Sequence, residues 1–92
     1  MRETENLLLR AAKLLELPAD AVAGKSHIEI IGTRDAIIEN HKGILEYGDT
    51  TLSLNLGTKI LTLEGANLKI SAMDERGLRL SGEITSVRFE SV

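Results

Sequence analysis

The residues best suited to chemistry stand together in one stretch, IENHKG, at residues 38–43. Glu39 and His41 are two positions apart, so on a strand they would share a face as a carboxylate–imidazole pair, the minimum for moving a proton. A metal centre needs three or four ligands, and the second histidine, His27, is linked to His41 by no ligand-spacing motif. Cysteine is absent, which removes thiolate ligands, disulfides and cysteine nucleophiles. The serines stand in LSLNL, KISAM, LSGE and TSVR, and none of these forms a nucleophile elbow. Asn40 and Gly43 suit a reversal of the chain, since Asn tolerates left-handed geometry and glycine supplies it freely. The expectation is a turn in which Glu39, Asn40, His41, Lys42 and Gly43 form a recognition surface, with no catalytic residue, metal or cofactor. A second polar loop, MDERG, is expected to be a solvated hairpin turn with Gly77 at positive φ.

The elements that would position these residues change character along the chain. Residues 4–17, TENLLLRAAKLLEL, carry Leu7, Ala11, Leu14 and Leu8, Ala12, Leu15 at helical spacing, with Thr4 as N-cap and Pro18 as stop. A linker follows over residues 18–25. From residue 26 to 91 the period is two: Ile28 and Ile30; Leu52, Leu54 and Leu56; Leu68, Ile70 and Ala72; Leu78 and Leu80. Glycines 32, 43, 48, 57, 65, 77 and 82 punctuate these runs as turn signals. Ile84 is out of phase with Val87 and Phe89, which predicts a bulge near Thr85 and Ser86. These features predict a mainly β domain: a small antiparallel β-sandwich or open barrel of six to seven short strands, preceded by one amphipathic helix. No side-chain motif recurs at a fixed period, so no internal repeat is expected.

Residues 50–63, TTLSLNLGTKILTL, carry one charge, Lys59. High β propensity with so little charge marks a segment that must be covered. It is expected to form the central strands of the sheet, to meet another chain through Leu52, Leu54, Leu56, Ile60, Leu61 and Leu63, or to do both.

Ninety-two residues make a single domain, 1–92. The apolar share is 42%, yet Tyr47 and Phe89 are the only aromatics, so the core must be aliphatic. Net charge is −3 and the pI about 5.3, with charges scattered singly. Neither a run of Lys and Arg nor a set of stacking aromatics is present, so nucleic acid is not an expected partner. No secretory signal and no transmembrane segment is expected, because apolar runs are short.

Three pieces of the chain together resemble the YabP/YqfC family of sporulation proteins of endospore-forming Firmicutes. The first is ELPADAVAG leading into IEIIGTRDAIIENHKGIL, the second LTLEGANLKI, and the third the closing segment with Gly82, Glu83 and Ile84. Residues 16–90 carry the likeness, IENHKG most specifically, and the YqfC-type branch is the nearer because of Leu17-Pro18 and the Ile-Glu-Asn-His run. In this chain the basic N-terminal arm common in that branch is reduced to Arg2. The resemblance implies a small β-sandwich without enzymatic activity, serving as an assembly or adaptor module in endospore formation. It further implies a location in the mother-cell cytoplasm or peripherally at the forespore membrane, with a membrane-bound sporulation protein or a second copy as partner. Two other functions stay open: a module binding a small ligand, lipid or cell-wall fragment between helix and sheet, and an enzyme using Glu39 and His41.

Overall fold

A computed structural model describes residues 25–92. The helix expected over residues 4–17 lies outside the described residues, as does the linker apart from Lys25. Six strands form one antiparallel sheet: β1 (His27–Ile31), β2 (Asp35–Glu39), β3 (Gly43–Tyr47), β4 (Thr51–Asn55), β5 (Lys59–Met73) and β6 (Gly77–Ser91), in the order β1-β2-β6-β5-β4-β3. The apolar runs around Leu61 and Leu68 are one strand, and so are those around Leu80 and Val87. Gly65 and Gly82, expected between strands, therefore lie inside them.

Strands of 15 residues cannot stay straight in this molecule. Extended, each would reach roughly 50 Å, whereas the longest dimension is 34 Å. Both bend at the two glycines. Glu64 pairs with Ser86 and Gly65 with Ile84, leaving Thr85 as the extra residue of a bulge, where the phase change predicted it. The backbones run so close there that a Cβ on Gly65 would collide with the Glu83 carbonyl, and one on Gly82 with the Asn67 carbonyl.

The bend divides the sheet into two halves. One contains β1, β2, residues 77–81 of β6 and residues 69–73 of β5; the other contains β3, β4, residues 59–64 of β5 and residues 86–91 of β6. Paired residues on antiparallel strands share a face, so each half presents two rows to the other. The first half presents Ile28–Ile38–Leu78–Met73 and Ile30–Ala36–Leu80–Ile70. The second presents Ile44–Leu54–Leu61–Phe89 and Tyr47–Leu52–Leu63–Val87. The middle pair of every row is buried, and with Leu68 and Ile84 at the bend these form a single aliphatic core. One continuous sheet thus supplies both layers.

Spacing recurs where side chains do not. β3 starts sixteen residues after β1, and β4 sixteen after β2, each strand having five residues. The same offset relates the acceptors of bonds at the bend: Gly82 N–H donates to the Arg34 carbonyl and Ile84 N–H to that of Thr33, while Gly65 N–H donates to the Thr50 carbonyl and Leu68 N–H to that of Asp49. The two halves thus share the spacing of their elements. The spacing of elements therefore recurs although no side-chain motif does. Aliphatic side chains are interchangeable in such a core, so no motif preserves it.

The turn joining β5 to β6 is held by Asp74, whose Oδ1 accepts from the N–H groups of Arg76 (2.9 Å) and Gly77 (3.1 Å). These bonds lower the Asp74 carboxyl below its ordinary value. Gly77 does not have the expected positive φ. It is buried beside β2, where a Cβ would strike the Ile38 carbonyl, so close approach explains the glycine.

Candidate functional site

IENHKG is a crossover, not a hairpin turn. It connects β2 to β3, and β6, β5 and β4 stand between them in the sheet. Asn40 takes the left-handed conformation expected of it, at φ 67°. Its N–H donates to the Arg76 carbonyl (2.7 Å), its side-chain amide donates to the Lys25 carbonyl (3.1 Å), and its own carbonyl accepts from the Ser26 hydroxyl (3.0 Å). Lys42 N–H donates to the Asn55 carbonyl (2.6 Å). The segment therefore ties the start of β1, the β5–β6 turn and the end of β4 together.

Glu39 and His41 do not share a face. Glu39 ends β2, and left-handed Asn40 breaks the alternation before His41. The His41 Nδ1 accepts from Gly43 N–H at 3.2 Å, which uses its lone pair locally. Across the strands Glu39 instead neighbours His27, and no hydrogen bond joins them among the described residues. His27 Nε2 and Glu29 Oε1, on the same face of β1, are buried without hydrogen-bond partners. Further along that face Asp35 Oδ1 accepts from Arg79 Nε (3.2 Å), Arg79 Nη2 (2.9 Å) and the Ser81 hydroxyl (3.2 Å), clamping β2 to β6. No cluster of three or more acidic, His or Cys side chains fit to hold a metal occurs among the described residues.

The residues 50–63 form β4 and the first part of β5. Leu52, Leu54, Leu61 and Leu63 are fully buried, with Leu56 and Ile60 partly so. β4 is paired on both sides, by β3 and β5. Covered apolar surface is what this charge-poor segment required, and the sheet itself covers it.

What stays open lies at row ends: Ile30 and Met73 in the first half, and four residues in the second. Ile44, Tyr47, Val87 and Phe89 are all exposed although they sit on the core-facing side. The chain's two aromatics are among them, Tyr47 at 49% and Phe89 at 55%. The cause is geometric: the rows of the two halves overlap chiefly at their centres, with Ile28 and Ile70 the row ends that also pack on the core. The Tyr47 hydroxyl, reaching across, accepts from Ile70 N–H at 2.8 Å on the edge of residues 69–73. On β6 the opposite face carries Arg88 and Glu90; Arg88 bonds Glu64 at 2.8 Å, and this partner, with Glu90 adding to it, raises the guanidinium further.

The YabP family model matches residues 22–92, a span that takes in all six strands. The chain belongs to the YabP family. Within it, the chain is similar to the uncharacterized protein YqfC of Bacillus subtilis (strain 168), at 30% identity over 77 residues, covering 84% of this chain and 83% of that protein. No solved structure matches. The resemblance carried by IENHKG and LTLEGANLKI thus holds for the family. No helix among the described residues is long and apolar enough to cross a membrane. Val87 and Phe89 are the surface residues that sequence reasoning passed over; the alternation VRFE, apolar then charged, was their signal.

Proposed function

We propose that this YabP-family chain is a non-enzymatic assembly or adaptor module in endospore formation, working in the mother cell with a membrane-bound protein partner. One observation carries the reading: both aromatics stand outside an all-aliphatic core, at the uncovered row ends of one half of the sheet. Aromatic side chains supply large contact area at small entropic cost and are enriched in protein interfaces. Membership of the family and the geometry of IENHKG, where Asn40 and the Lys42 N–H join strands, support the same reading. Glu39, Asn40, His41, Lys42 and Gly43 then form a rigid surface patch beside the partner site.

The test is a clean deletion in the source organism, scored by heat-resistant spores with vegetative growth followed in parallel. A large fall in spores with normal growth is expected, and complementation by the wild-type chain should restore the count. Unchanged counts after deletion overturn the role in sporulation.

A further inference from the structure

Bending the sheet creates two strand edges beyond those of β1 and β3. Unpaired edges are templates for further pairing unless something blunts them. β3 is interrupted by a register shift between Ile44 and Glu46. The edge at residues 69–73 has its Ile70 N–H taken by Tyr47. β1 has five residues. Residues 86–91 of β6 have no register shift, proline or glycine, and expose Val87 and Phe89 beside the edge.

The direction of the backbone groups on this edge follows from β5. Gly65 N–H donates to Thr50, and the Lys59 carbonyl accepts from Leu56 N–H, so odd-numbered residues here turn their backbone toward β4. Thr62 and Glu64 turn theirs toward β6, where they pair with Arg88 and Ser86. Val87 and Phe89, opposite Leu63 and Leu61, therefore direct N–H and C=O to the open side.

We propose that two copies of this chain pair antiparallel through residues 86–91 of β6, about a twofold axis at Phe89, joining their second halves into one eight-stranded sheet. Charge selects the register. An axis at residue 88 sets Arg88 against its own copy, and one at residue 90 sets Glu90 against its own, both unfavourable. With the axis at Phe89, Arg88 faces the other copy's Glu90 twice, Phe89 faces Phe89, and Val87 faces Ser91. The interface is isologous and closes at two copies. The pairing deepens the reading of the chain as an assembly module and rests on it, yet is tested without reference to spores.

Sedimentation velocity of the full chain over a concentration series should show a reversible dimer. Arg88→Glu and Glu90→Arg, each placing like charges across the axis, should each weaken dimerisation at least about fivefold. The variant carrying both changes should recover it. Amide exchange of Val87 and Phe89, rapid in a monomer, should slow as the dimer forms. A strict monomer at every concentration overturns the proposal, as does a dimer indifferent to the single charge reversals. A monomer in solution together with a spore defect on deletion would overturn self-pairing alone and leave the assembly role standing.

Discussion

Replacing Gly65 with alanine tests the bend that creates both layers. Gly65 does not have positive φ, so the effect is one of contact alone. The added methyl would overlap the Glu83 carbonyl and crowd the Ile84 backbone, and neither is a flexible side-chain end that can swing aside. To make room β6 must move from β5 at the point where Gly65 N–H bonds Thr50 and Ile84 N–H bonds Thr33. Losing two such bonds costs about 1 kcal/mol each, and overpacking adds roughly 1–3 kcal/mol. The sum, about 3–5 kcal/mol, is a large part of the stability of a domain this size. Gly48→Ala is the matched control, because nothing lies within 4 Å of its Cβ position and its φ is not positive. It should be neutral or stabilising by about 0.4–1 kcal/mol. At roughly 4–8 °C per kcal/mol, thermal melts should show Gly65→Ala falling by more than about 12 °C while Gly48→Ala holds or rises. Equal melting temperatures for the two variants would refute the close-approach account of the bend.

Leu63→Ala and Leu80→Ala remove side chains from corresponding rows of the two halves, and each should cost about 2–5 kcal/mol by urea unfolding; a loss under 1 kcal/mol at either would contradict a single shared core. Asn40→Gly should be nearly neutral, whereas Asn40→Val should cost about 1–2 kcal/mol for its left-handed backbone, read from denaturant midpoints. Asp74 has a folded pKa below the ordinary 3.8, chiefly through the N–H groups of Arg76 and Gly77. Its contribution is therefore complete above that value and lost as pH falls through the lowered one. Melting temperatures of wild type and Asp74→Ala should differ at neutral pH and converge in strong acid; a gap unchanged by acid would count against these bonds.

Local chemistry made much of this protein legible. Period-two runs identify β1, β4 and parts of β5 and β6, and Leu52, Leu54, Leu78 and Leu80 read as inward-facing because alternation is a local property of extended backbone. The bulge at Thr85 is visible as a phase change for the same reason. Asn40 announces its left-handed turn through its residue type. Absence of cysteine and the lack of a nucleophile setting follow from composition and spacing alone.

Other properties depend on which strands become neighbours, and no local pattern contains that. Gly65 and Gly82 resemble turn glycines until β5 and β6 cross beside them, when they become the points at which two long strands can bend. IENHKG looks like a hairpin until three strands are found between its ends. The charge-poor segment around Leu52 and Leu61 reads as central strands or as a contact surface, and the sheet buries its leucines by pairing β4 on both sides. Val87 and Phe89 carry the same inward-facing pattern as the core, and only the limited overlap of two four-residue rows leaves them in solvent. The sequence by itself determined which side of each strand is apolar; the tertiary structure decided which of those sides found cover, because burial depends on the distance between layers and not on the order of residues in the chain.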